Sequence, residues 1–206
     1  DNLGLGLDDL KGTTALAGAG IAAFGGFVAG GVKKMKELYD QTRDFNEVAG
    51  TSWEEGSRLI AVFDDLRVNA DEGAGAMGRL TKTVGSAPEK LEEYGIEVAR
   101  AKDGTVDMVG TLANVATAFE NTTDPAKRAK LGNDLFGRSW QQMGPVLQRG
   151  GDELRDLAAA VDDSQVATAE GAKQQDELFE ATDNLNDAID GLQRSLAKDV
   201  IPTLAD

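Results

Sequence analysis

The sequence predicts a mainly α-helical protein in which several short helices precede one long C-terminal helix. Apolar residues recur at intervals of three and four along most of the chain. Residues that cap helices stand before these runs, and glycines follow many of them. Only residues 96–106 break the helical rhythm. Together these observations predict an elongated multi-helix protein with one small β-hairpin near residues 96–106.

We predict three regions along the 206 residues. Residues 1–50 contain a glycine-rich hydrophobic segment and an amphipathic helix. Residues 51–163 form a compact helical region with the hairpin, and residues 164–206 form a long, coiled-coil-like amphipathic helix. The chain begins with Asp1 and ends inside a helical pattern, so we expect it to be an excerpt from a longer polypeptide.

The hydrophobic segment consists of the 21 uncharged residues between Lys11 and Lys33. A helix of this length spans about 31 Å, which matches the hydrocarbon core of a bilayer. Seven glycines weaken that helix, and Gly26 and Gly30 form a GxxxG pair that allows close helix packing. The candidate membrane residues are Leu16, Ile21, Phe24, Gly26, Phe27, Val28, Gly30 and Val32. The alternative is a small-residue helix packed against copies of itself, and both interpretations stay open.

Two amphipathic helices are predicted next. The apolar positions of the first are Met35, Leu38, Thr42, Phe45 and Ala49. The second begins at Ser52, because Glu55 stands three residues later, as in a capping box. Its apolar face is broad enough to be buried among other helices and comprises Leu59, Ile60, Val62, Phe63 and Leu66.

Aspartate and proline residues mark the later helix starts. We expect Asp71 to cap one helix and Pro88 to begin the next. Asp107 and Asp124 are expected to cap two more. Between these helices, residues 96–106 are predicted to form two short strands around an Asp-Gly turn, which must pack on a neighbouring helix to be stable.

The long C-terminal helix bears an apolar stripe with a 3.5-residue period, which is typical of a coiled-coil seam. The stripe comprises Leu178, Thr182, Leu185, Ile189, Leu192 and Leu196. A helix folded back on its own domain would show the same stripe. We favour self-association, because no later segment of the sequence would cover it.

The composition argues against an enzyme. The chain contains neither Cys nor His, which excludes thiol nucleophiles, imidazole bases and the usual zinc ligand sets. Carboxylate-only sites usually need aromatic pocket residues, and aromatics make up only 5% of the chain. The glycine-rich start lacks the Lys-Ser or Lys-Thr of a phosphate-binding loop. We therefore expect no catalytic residue, no cofactor and no metal.

Adjacent acidic pairs are interpreted as surface residues rather than cation ligands. Neighbouring side chains on a helix point about 100° apart, so they do not converge on one ion. The pairs are Asp64 and Asp65, Asp71 and Glu72, Glu92 and Glu93, and Asp162 and Asp163.

The net charge of −15 disfavours binding to nucleic acid, because the surface repels phosphates. From residue 151 onward there are 14 acidic and 4 basic residues, so −10 of the −15 lies in this part. An acidic helical face that keeps the chain soluble is one explanation. The other is a surface that does not adhere to DNA passing close by.

The order of motifs resembles the core region of phage tail tape measure proteins, from about Trp53 to Leu204. The motifs, in chain order, are Pro88, Leu91 to Ile96, the turn at Asp103 and Gly104, Leu112, Leu135 to Arg138, Val146 and Leu147, Gly151 to Leu154, and Val200 to Leu204. Trp140 is bulkier than the family pattern at that place.

This resemblance implies a long helical structural protein inside the lumen of a phage tail, whose length sets the length of the tail. It implies a homotrimer that contacts the tail tube and the tail-tip or baseplate proteins. It further implies release into the host envelope at ejection, with genomic DNA only a passing neighbour, and Thr13 to Val32 entering the host membrane. The alternatives are a secreted helical toxin that inserts into membranes, and a cytoplasmic coiled-coil scaffold.

Overall fold

A computed structural model describes residue 31 and residues 33–200, without the side chains of residues 186, 192, 193 and 195–200. By its contacts the chain divides into two units, Asp1–Asp40 and Gln41–Asp206. The described residues are mainly helical and contain no β-strand, which confirms the mainly α fold.

Nine α-helices lie within the described residues. They are α1 (33–49), α2 (Trp53–Asp65), α3 (Ala70–Ser86), α4 (Glu89–Glu92), α5 (Met108–Asn121), α6 (Pro125–Phe136), α7 (Gly144–Leu147), α8 (Gly151–Ala160) and α9 (Ala169–Val200). Short 3₁₀ helices cover Gly137–Trp140 and Asp163–Gln165. We call residues 41–167 the packed region, because they supply nearly all the buried apolar side chains.

The predicted capping box at the start of α2 is confirmed. The Ser52 hydroxyl oxygen accepts from the Glu55 backbone N–H, and the Ser52 N–H donates to Oε2 of Glu55, both at 3.2 Å. The second oxygen of the same carboxylate accepts from the N–H of Met108 at 2.6 Å. Met108 is the first residue of α5, so one glutamate satisfies N–H groups at two helix starts.

The core lies where α2 meets the neighbouring helices. All five apolar residues predicted for the α2 face are buried: Leu59, Ile60, Val62, Phe63 and Leu66. Phe63 is fully buried, and its ring centroid lies 6.0 Å from that of Phe45 in α1. Burying a side chain of this size contributes about 1.5–3 kcal/mol, so this cluster is a main source of stability.

Glycines allow the helices of the packed region to approach closely. A Cβ on Gly151 in α8 would lie 2.4 Å from the backbone oxygen of Ala113 in α5. A Cβ on Gly78 in α3 would lie 2.2 Å from the backbone oxygen of Val48. Because these obstacles are backbone atoms, any larger residue must push the helices apart.

Trp140 is accommodated by a missing side chain. A Cβ on Gly132 would lie 2.9 Å from Cδ2 of the Trp140 indole, so the ring occupies the space above that glycine. The indole also packs against Phe119, with the ring centroids 6.4 Å apart. The bulk at position 140 is therefore matched by glycine at position 132.

The predicted β-hairpin is not formed as two strands. Residues 96–106 contain a single antiparallel bridge, between Arg100 and Val106, around the predicted turn. Pairing does not extend further because the backbone of this segment bonds to α5 instead. The N–H of Ala99 donates to Oγ1 of Thr111 at 3.0 Å, and Nδ2 of Asn114 donates to the backbone oxygen of Glu97 at 2.7 Å.

Asp71 does not cap α3, which corrects the prediction. The cap is Asn69, whose side-chain oxygen accepts from the N–H groups of Asp71 at 2.9 Å and Glu72 at 3.3 Å. Asp71 lies in the first turn, where its charge favours the helix dipole. The caps predicted at Asp107 and Asp124 are confirmed.

Candidate functional site

The start of α9 is fixed to α2. The N–H of the fully buried Ala167 donates to the Ser57 hydroxyl oxygen at 3.0 Å, and that hydroxyl donates to the oxygen of Trp53 at 2.9 Å. The Thr168 hydroxyl oxygen accepts from the N–H of Gly171 at 3.0 Å, which caps the first turn. The long helix therefore begins from a defined point on the packed region.

Arg58 holds the segment that leads to α9. Its guanidinium donates to the backbone oxygens of Ala158 at 3.1 Å and Val161 at 3.3 Å, and to Oδ1 of Asp163 at 3.0 Å. A guanidinium at the end of α8 favours the negative end of that helix's dipole. Arg58 thus joins α2, the end of α8 and the connection to α9.

The last buried residue of α9 among the described side chains is Gln175, in its second turn. Gln175 is 5% exposed, and neither its amide oxygen nor its amide nitrogen has a hydrogen-bond partner among the described residues. A buried polar group without a partner costs about 1–3 kcal/mol. The contact at Gln175 is therefore a weak attachment for the helix that follows.

The apolar stripe beyond Gln175 is exposed where the structure describes it. Leu178 and Ile189 are each 43% exposed and Leu185 is 60% exposed, whereas core residues are mostly below 4%. The Thr182 hydroxyl donates to the oxygen of Leu178 at 2.7 Å, so it needs no external partner. We call Leu178, Thr182, Leu185 and Ile189 the α9 stripe. The side chains of Leu192 and Leu196 lie outside the described residues.

The positions that flank the α9 stripe carry no charge. In a heptad with Leu178 and Leu185 at d, the flanking e and g residues are Phe179, Ala181, Asn186 and Ala188. The acids of this stretch occupy the opposite face and are exposed: Glu180, Asp183, Asp187 and Asp190. An acidic helix can therefore meet a copy of itself along this seam without placing like charges against each other.

All eight candidate residues of the predicted membrane segment, Leu16 to Val32, lie outside the described residues. Among the described residues, none of the helices combines the length and the hydropathy that a membrane span requires.

The paired acids predicted to be surface residues are all exposed. Among the described side chains, no three or more Asp or Glu residues are placed to hold one metal ion. Within these pairs, the pKa of the Asp162 carboxyl is lowered, because Ser164 donates hydrogen bonds to it from its side chain and its backbone. This is a local turn interaction rather than a ligand site.

Tyr94, Lys130 and Asp134 form a hydrogen-bonded cluster of titratable side chains. The Tyr94 hydroxyl donates to Oδ2 of Asp134 at 2.6 Å, and the Lys130 ammonium donates to the same oxygen at 2.5 Å. Hydrogen bonds from Lys130 and then Tyr94 lower the pKa of Asp134. Burial and the bond to Asp134 raise the pKa of Tyr94. These hydrogen bonds join the turn that follows α4 to α6.

An open groove of about 590 Å³ was not predicted from the sequence. It runs beside the extended residues 96–100 and includes Pro88 and Glu92 in its lining. The alternation of Ile96 and Val98 with polar neighbours was the available signal, but it was interpreted as one arm of a hairpin.

No protein-family model matches the chain, and no curated protein or solved structure matches it significantly.

Proposed function

We propose that this chain belongs to the tape measure protein of a tailed phage, where it acts as a structural, non-enzymatic element of the tail. The observation that carries the proposal is the α9 stripe: apolar, exposed, flanked by uncharged residues, and rooted in a packed helical region. The ordered motifs from about Trp53 to Leu204 supply the link to that family. The tail lumen and tail tip are the proposed location.

Self-association along the α9 stripe follows from its energetics. Each large apolar side chain withdrawn from water on pairing contributes up to about 1.5–3 kcal/mol. Repetition along a helix of 32 residues, about 48 Å long, gives several such contacts per copy. We propose a parallel coiled coil, since parallel pairing places equivalent d residues such as Leu185 side by side. The copy number of three is taken from the family resemblance.

The acidic surface fits a protein that shares a narrow space with DNA. A net charge of −15 repels phosphates, so DNA passes as a neighbour and is not bound. The tail tube and tail-tip proteins are the proposed contacts of the assembled trimer. Entry of Thr13 to Val32 into the host membrane during ejection completes the proposal.

Mass spectrometry of purified tailed phage particles tests this function. We expect peptides from this chain in intact particles, within a parent polypeptide whose residue count multiplied by about 1.5 Å equals the tail length. Absence from particles would overturn the proposal, as would a parent chain ending near these 206 residues. Leakage of dye from lipid vesicles would then test the membrane-inserting alternative.

A further inference from the structure

We propose that residues 96–100 form an open backbone edge that binds an extended, basic peptide by adding it as a β-strand. This inference is independent of the tape measure proposal, because it concerns a different surface. The strip of chain between α4 and α5 is extended, and the groove of about 590 Å³ lies along it. We call Pro88, Glu92 and residues 95–98 with Arg100 the edge groove.

Alternate residues of this strip point their backbone groups in opposite directions. The backbone groups of the odd-numbered residues bond to the chain beyond the turn. The backbone oxygen of Ala99 accepts from the N–H of Asp107 at 2.9 Å, and the N–H of Ala101 donates to the backbone oxygen of Thr105 at 2.9 Å. In an antiparallel bridge between Arg100 and Val106, these bonds direct the N–H and C=O of residue 100 away from the partner. The same alternation directs those of Val98 outward.

The outward groups are unpaired. Neither the N–H nor the C=O of Val98 and of Arg100 has a hydrogen-bond partner among the described residues. Two residues of this kind, spaced by one, offer the same donor and acceptor pattern as the edge strand of a sheet. The Arg100 side chain does not cover the edge, because its guanidinium donates to the oxygen of Gly104 at 3.0 Å.

The side chains of the edge groove define the occupant. Pro88, the half-buried Val98 and Ile96, which is 3% exposed, are part of its lining, and this lining suits an apolar side chain. Glu92 and Glu97 are exposed and make no ion pair in the described residues, which suits Lys or Arg. Residues 96–100 span about 13 Å at about 3.3 Å per residue. The occupant is therefore a segment of about five residues that alternates apolar and basic side chains.

A capped peptide, Lys-Val-Lys-Val-Lys-Val, labelled with fluorescein, tests the edge by anisotropy on the full chain. We expect saturable binding, and we expect slower hydrogen exchange at the amides of Val98 and Arg100. A peptide with N-methylated valines lacks the needed donors and should bind at least tenfold more weakly. A Glu-Val-Glu-Val-Glu-Val peptide should not bind. Lack of saturation, or equal binding of the N-methylated peptide, would overturn the proposal.

Charge reversal of two acidic residues in the edge groove supplies a second, independent test of the proposal. The double variant Glu92→Lys/Glu97→Lys should bind the lysine peptide at least tenfold more weakly. The matched control is Asp156→Lys/Asp176→Lys, which reverses two exposed acids outside the edge groove and should bind as the native chain does. Equal loss in both double variants would show general charge attraction and reject the edge. The N-methylated peptide tests the native protein, so that arm holds even where a variant is unstable.

Discussion

The helices α2 and α9 carry similar apolar stripes but differ in what covers them. In α2, the apolar face from Leu59 to Leu66 is at most 8% exposed, because helices of the same chain surround it. In α9, Leu185 is 60% exposed although it belongs to an equally regular stripe. The comparison shows that an apolar period by itself does not specify whether the same chain covers the face. In α2 the cover comes from the same chain, and for the α9 stripe we propose that it comes from another copy.

The largest expected effect comes from a substitution in the core that covers α2. Phe63→Ala should lower the free energy of unfolding by about 3–5 kcal/mol, because it removes a fully buried ring and leaves a cavity. Both tryptophans of the chain, Trp53 and Trp140, lie in the packed region, so urea unfolding followed by tryptophan fluorescence reports on that region.

Leu185→Ala is the matched control for that experiment. It should leave the fluorescence midpoint of the dilute protein nearly unchanged, since Leu185 is mostly exposed in a single chain. A loss as large as that of Phe63→Ala would mean that the α9 stripe is covered by its own packed region.

A smaller effect of opposite signs is expected from two helical glycines. Gly151→Ala should destabilise by about 1–3 kcal/mol, because its Cβ meets the backbone oxygen of Ala113. Gly191→Ala in α9 has nothing within 4 Å of the added Cβ. The substitution should stabilise the helix by about 0.5–1 kcal/mol and raise the helicity. Far-UV circular dichroism with urea titration measures both. A stabilising Gly151→Ala would refute the close crossing of α5 and α8.

The smallest expected effect comes from a hydrogen bond at the surface of the packed region. Tyr94→Phe removes one hydrogen bond to Asp134, so the pKa of that carboxyl should rise toward its ordinary value of 3.8. A lowered folded pKa contributes stability above the unfolded value, and this is lost as pH falls through the folded pKa. The free energy of unfolding of the native chain should therefore exceed that of the variant by about 0.5–1 kcal/mol at neutral pH. This difference should shrink below about pH 4.

Carbon-detected NMR titration of the carboxyls checks this prediction. Asp103 serves as the internal control, because hydrogen bonds from Thr105 lower its pKa and Tyr94→Phe leaves them intact. An unchanged pKa at Asp134, with the hydrogen bond removed, would show that Lys130 alone holds that carboxylate.

Local chemistry was predictable from the sequence, and long-range pairing was not. The Ser52 capping box and the caps at Asp107 and Asp124 depend on residues within three positions, so the sequence reveals them. The cap of α3 was misassigned because Asn69 and Asp71 are both good caps, and only the backbone path distinguishes them. The hairpin failed because Thr111 and Asn114, distant in sequence, take the backbone bonds that a second strand would use.

The candidate site divides in the same way. The α9 stripe was visible as a 3.5-residue period, but its exposure follows from the position of Gln175, the last buried residue of α9 among the described side chains. The Glu55 contact to Met108 joins residues 53 positions apart, and the packing of Trp140 over Gly132 joins a 3₁₀ helix to α6. No spacing rule predicts such contacts. The edge groove was missed for that reason as well.

Sedimentation equilibrium of the full chain tests the central claim that α9 is covered by another copy. Above the dissociation constant we expect a mass of three times the 21.7 kDa monomer. Leu185→Asp/Ile189→Asp should abolish this association, because it places charges in the seam. Asp183→Ala/Asp187→Ala, on the opposite face, should retain it. A native chain of 21.7 kDa at every concentration, or association that survives the seam variant unchanged, would contradict the account.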